Sequence, residues 1–96
     1  MIKKGLKAIY HYFLISRSCL FDRKYYLETY PDVRKADIDP LWHFVNLGWR
    51  EGRNPSDHFI TNDYKKYYLD TENKNKNPLV HYLRSGSKEI RIENKD

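Results

Sequence analysis

Ninety-six residues suffice for one small domain, which buries only about 60–65% of the surface of its unfolded chain. Hydrophobic residues make up 40% and charged residues 32%, which excludes a disordered chain, and nine tyrosines suit a thin core where a ring is buried while its hydroxyl stays near water. The single cysteine, Cys19, excludes an internal disulfide framework and fits a reducing, cytoplasmic compartment, and a net charge of +5 raises nucleic acid or an anionic surface as partners.

The charge is unevenly placed. Residues 1–20 carry Lys3, Lys4, Lys7 and Arg17 with no acid, whereas residues 21–58 sum to −1 and residues 59–96 to +2. A reader of DNA or RNA carries its cations on the folded face, so a small basic nucleic-acid-binding protein is the alternative reading and not the leading one.

Residues 2–16 predict a helix of about four turns. At about 100° per residue Ile2, Leu6, Ile9 and Phe13 share one stripe, with Lys4, Lys7 and His11 opposite. His11 interrupts the apolar segment and no small-residue cleavage site follows, which argues against a signal peptide, and the segment is too short to span a bilayer. Two uses fit residues 1–19. The stripe packs on the rest of the chain or on a partner helix; or Lys3, Lys4, Lys7, Leu6, Ile9 and Phe13 form a basic amphipathic helix on an anionic membrane, with Tyr10 and Tyr12 at the interface.

Residues 20–58 open with Asp22 as a helix N-cap, and Phe21 and Tyr26 occupy the two positions of a hydrophobic staple. A helix from about Arg23 to Tyr30 places Tyr26, Leu27 and Tyr30 on one side, and Pro31 ends it or starts a new turn through Asp32 and Val33. A second helix is capped by Asp39, has Pro40 at its first position, and carries a Leu41, Phe44, Val45 stripe. Gly48 stands where a left-handed terminal residue is expected. Trp49 to Pro55 then turn the chain.

The pattern returns 38 residues later. Phe21, Tyr26, Tyr30, Asp32, Pro40, Leu41, His43, Gly48, Glu51 and Arg53 recur as Phe59, Tyr64, Tyr68, Asp70, Pro78, Leu79, His81, Gly86, Glu89 and Arg91. A period of this length marks a supersecondary unit that buries its apolar face against a neighbouring copy. In the second copy Ile60 replaces the capping Asp, so the cap is expected to shift to Thr61 or Asn62. Residues 72–77 form a polar loop. The expected fold is all-α: two tandem helical hairpins, at 20–58 and, degenerate, 59–92, after the amphipathic helix, with a frayed tail at 93–96.

The string LFDRKYYLETYPDV followed by DPLWHFVNLGWREGRNP resembles a tandem module of bacterial glycosyltransferases and other proteins of capsule, exopolysaccharide and lipopolysaccharide synthesis. The match is close over residues 20–56 and loose over 57–92, where Lys65 and Lys66, the Leu69-Asp70-Thr71 triplet and Ile90 depart from it. The resemblance implies a non-catalytic accessory module that docks to a glycosyltransferase or to the inner face of the membrane. The chain has no nucleotide-sugar-binding domain, no Asp-X-Asp motif and no Gly-rich phosphate loop, so no cofactor is expected.

Individual residues carry competing readings. His43 and His81 lack the further ligands a metal needs, and each imidazole is expected to bond a backbone carbonyl or an acid of the preceding loop. Asp32 with Arg53, and Asp70 with Arg91, are expected to pair; the functional reading instead turns Glu51 and Arg53, with Arg50, outward to a glycan or phosphate. Trp42 and Trp49 have no aromatic counterparts in the second copy. They serve the junction between copies or, at Trp49, a flat platform for a sugar. No serine or cysteine stands beside a histidine in a nucleophile motif, and Cys19 reads as a small apolar filler.

Overall fold

The computed structural model describes residues 2–71 and 73–86, and every regular element among them is a helix. They are α1 (Ile2–Ser16), α2 (Arg23–Thr29), α3 (Pro31–Ala36), α4 (Pro40–His43), α5 (Thr61–Tyr68) and α6 (Pro78–His81). α4 runs on without a break into a wide π-helical turn over Phe44–Gly48, and α6 does the same over Tyr82–Gly86. Glu89, Arg91 and the 93–96 tail lie outside the described residues, as do the side chains of Ile2, Lys3 and Lys4.

Local signals set most helix starts. The Asp22 carboxylate accepts the Tyr25 N–H at 2.9 Å, and Phe21 packs on Tyr26 with tilted rings whose centroids are 5.2 Å apart, the expected cap and staple. Pro31 opens α3, where its missing N–H costs nothing. Asp39 caps α4 through Leu41 N–H at 2.9 Å, and Asn77 caps α6 through Leu79 N–H at 3.0 Å.

α5 departs from expectation. Its N-cap position is held by Ile60, in the register of Asp22, and the cap does not move to Thr61 or Asn62. The acceptor comes from outside the helix: Asn54 Oδ1 takes the Thr61 N–H at 2.8 Å, while Thr61 Oγ1 donates to the Arg53 carbonyl at 2.7 Å.

One apolar cluster joins the helices, with Ile15, Tyr26, Val33, Leu41, Phe44, Val45, Phe59, Tyr64, Leu69, Leu79 and Val80 all buried. α1 lies across α4 and α6 and reaches that cluster mainly through one face. The face is Ala8, Tyr12 and Ile15, spaced four and three apart, with His11 half-buried beside them and Leu14 packed at its edge. The small Ala8 permits close approach, Ile15 is completely buried, and Tyr12 donates to Asp39 Oδ2 at 2.5 Å.

The described part of the predicted α1 stripe, Leu6, Ile9 and Phe13, is therefore turned away from the core. Leu6 is 61% exposed, Ile9 46%, Tyr10 49% and Phe13 56%. Lys7 and His11 lie opposite that stripe, as the sequence places them, and flank the packed face.

Candidate functional site

Three arrangements bring the sequence-marked residues together. The first is a buried latch between α2 and α4. The Tyr26 hydroxyl and His43 Nδ1 share a hydrogen bond of 2.8 Å beneath Gly48, and Tyr64 and His81 share one of 2.8 Å between α5 and α6. Each histidine thus bonds through Nδ1 to a tyrosine 17 residues earlier, a partner that the expectation of a backbone carbonyl or an acid did not include. Burial pushes the Tyr26 phenol up, and burial followed by the nearby Arg53 charge holds His43 below its ordinary value. A neutral imidazole engaged by a phenol holds two helices in register. Among the described residues no group of His, Cys, Asp and Glu could hold a metal ion.

Gly48 belongs to this latch for a reason its sequence position did not suggest. It lies within the helical turn; the described glycine with positive φ is Gly52, at 77°. A Cβ on Gly48 would overlap the Tyr26 hydroxyl and stand 3.3 Å from Phe44 Cδ1. Glycine is required here for space and not for handedness. Gly86 closes the corresponding turn of α6.

The second arrangement is the junction at Arg53 and Asn54. Arg53 grips Asp32 with two bonds, Nη1 to Oδ1 at 2.9 Å and Nη2 to Oδ2 at 2.8 Å, and its Nε meets Glu51 at 2.9 Å. That bonding holds the Asp32 carboxyl below its ordinary range and raises Arg53. The guanidinium also lies over the Tyr30 ring at 4.7 Å, and Asn54 N–H donates to the Tyr30 hydroxyl at 2.8 Å. Arg53 is consequently spent inside the fold, with its side chain only 19% exposed, and does not face outward to a glycan. Asp70 accepts from the Asn73 backbone and side chain, at 3.0 and 2.9 Å, and its expected partner Arg91 lies outside the described residues. Tyr68 stacks on Tyr64 at 4.9 Å. Cys19 is exposed, with a left-handed φ of 62°, and fills no apolar space.

The third arrangement was invisible in the sequence. A cleft of about 750 Å³ opens between α1, the end of α4 and the segment leading into α6. Lys7, Arg50, Lys76 and Arg84 stand around it, and among the described residues no Asp or Glu lines it. Trp49 belongs to its wall beside Val45 and Val80, with the indole N–H donating to the Val45 carbonyl at 3.0 Å and Arg50 over its ring at 4.8 Å. Trp42 stays outside the cleft, half-exposed against Tyr12 at 5.5 Å. Of the residues marked as an interaction surface, the structure thus unites Trp49 with Arg50 and separates them from Glu51, Arg53 and Trp42. His11 sits in the same cleft, held below its ordinary value first by burial and then by Lys7 and Arg84.

No protein-family model matches the chain, and no curated protein and no solved structure matches it either. No described helix is long and apolar enough to cross a membrane.

Proposed function

We propose that this chain is a non-catalytic interaction module of bacterial surface-polysaccharide synthesis, built from two copies of a 38-residue helical unit. It lies on the anionic inner face of the membrane through α1 and holds a glycosyltransferase through its remaining helices. The observation that carries the membrane part is the outward stripe of Leu6, Ile9, Tyr10 and Phe13 on a segment whose first 20 residues contain four cations and no acid. An apolar face on a segment rich in cations suits a bilayer surface, where each cation near anionic headgroups contributes about 1 kcal/mol and aromatic rings settle at the interface. The two-copy architecture is supported by the Tyr26–His43 and Tyr64–His81 bonds, each across 17 residues and each 2.8 Å long. The choice of partner rests on the resemblance of residues 20–56. A non-catalytic role is favoured because His43 and Arg53, the side chains best suited to chemistry in that segment, are engaged within the fold.

Co-sedimentation with vesicles tests the proposal. The full chain is expected to pellet with phosphatidylcholine vesicles containing phosphatidylglycerol, and to be released by salt. The variant Leu6→Gln/Ile9→Gln/Phe13→Gln, altered only at exposed positions, should remain in the supernatant with unchanged helicity. A wild-type chain that ignores anionic vesicles, or that hides the stripe by forming a stable dimer, would refute the membrane assignment.

A further inference from the structure

The cleft beside α1 has the composition of an anion site. We propose that it binds a phosphate ester, with the phosphate oxygens among Lys7, Arg50, Lys76 and Arg84 and the esterified group against Trp49 and Val45. Among the described residues none of these four cations is paired with a carboxylate: the ion pairs found involve Arg23, Arg53 and His58. Four unopposed cations around one cleft repel one another, and a ligand of opposite charge removes that cost. The arginines are already oriented. Arg50 lies over Trp49 at 4.8 Å and Arg84 over Tyr10 at 5.8 Å, contacts that engage the guanidinium faces and leave their N–H edges as donors.

An independent observation on a different residue points the same way. Asn77 is part of the cleft wall and only 4% exposed, and its Nδ2 is buried without a hydrogen-bond partner. Its Oδ1 is fixed by the cap bonds to Leu79 N–H at 3.0 Å and Val80 N–H at 3.4 Å, so the amide cannot be reversed without losing the cap. The residue 38 positions earlier shows what is missing. Asp39 uses Oδ1 for its own cap, and its second oxygen accepts the Tyr12 hydroxyl at 2.5 Å. At Asn77 the second atom is a donor, and no described residue supplies an acceptor. A buried unsatisfied donor costs about 1–3 kcal/mol, and such groups in native proteins call for an explanation. A ligand oxygen supplies the acceptor. Every polar group so identified is a donor, which selects a multi-oxygen anion over a cation or a neutral amide. A volume of about 750 Å³ lies within the range of small-molecule sites.

The test titrates the full chain with inorganic pyrophosphate by calorimetry at fixed ionic strength, alongside Asn77→Asp and Arg50→Gln/Arg84→Gln. Asn77→Asp keeps the cap acceptor, as Asp39 shows, and replaces the orphan donor with a negative oxygen. Both variants should keep the wild-type helicity and bind at least about tenfold more weakly. A second arm uses phosphatidylcholine vesicles with and without phosphatidic acid. If pyrophosphate stays unbound and only phosphatidic acid retains the wild type more strongly than Asn77→Asp, the phosphate comes from a lipid headgroup; if pyrophosphate binds, it comes from a soluble ester. Equal binding by wild type and both variants, or no binding in either arm, overturns the site. The outcome is separable from the membrane role of α1, because neither variant touches Leu6, Ile9 or Phe13.

Discussion

Replacing Gly48 by alanine puts a single methyl group into the Tyr26–His43 latch. The new Cβ would overlap the Tyr26 hydroxyl, and Tyr26 Cζ and Phe44 Cδ1 both stand 3.3 Å from it, so the ring has nowhere to retreat within a fully buried cluster. Two costs combine. Displacing the hydroxyl breaks the 2.8 Å bond to buried His43, at about 1–3 kcal/mol, and overpacking a tight core adds about 1–3 kcal/mol. Alanine's better helix propensity returns about 1 kcal/mol. The net loss is about 3 kcal/mol, or a fall in Tm of roughly 12–24 °C for a domain of this size. Thermal melts followed by circular dichroism at 222 nm measure it directly. A second substitution isolates the cause: Tyr26→Phe removes the offending oxygen, so Gly48→Ala/Tyr26→Phe should be more stable than the two single losses predict, by about 1 kcal/mol or more. Strictly additive losses, or an unchanged Tm in Gly48→Ala, would refute the steric account.

Two further predictions concern the fold itself. Asn54→Ala removes the acceptor that caps α5 from outside and should cost about 1 kcal/mol, whereas Asn54→Asp, which keeps an oxygen there, should melt close to wild type; equal Tm values for both variants would show that the cap is idle. Stability should also fall in mild acid. His43 and His11 both titrate below their ordinary 6.5 in the folded chain, so the unfolded chain takes up these protons first. The contribution is full above about pH 6.5 and is lost as pH drops through 6.5 toward the lower folded values. Melts at about pH 7.5 and 5.5 should therefore differ, with His11→Gln reducing the difference; a flat profile would contradict the burial of both rings.

Much of the architecture was legible because it depends on neighbours in sequence. Asp22, Asp39 and Asn77 act on N–H groups two or three residues away, proline preorganises the first turn of α3, α4 and α6, and staple rings meet at a spacing of five. The spacing of Tyr26 and Tyr64 from the histidines 17 residues on was present as well, but nothing in a linear pattern says that a phenol, and not a carbonyl, fills the space opposite an imidazole.

The sequence by itself determined the helical character, most helix starts, the Leu41, Phe44, Val45 stripe and the acid-free basic arm, since each follows from local capping, periodicity or composition. Tertiary structure alone decided which face of α1 is buried, because that choice compares two faces of one helix against a surface built by residues 30 to 70 positions away. The larger apolar stripe lost to the face where Ala8 allows close approach, Ile15 enters the core and Tyr12 reaches Asp39. The packing of α2 on α4 converted Gly48 from a suspected helix terminator into a space-maker for Tyr26, and the docking of α1 gathered Lys7, Arg50, Lys76, Asn77 and Arg84, scattered over most of the chain, around one cleft.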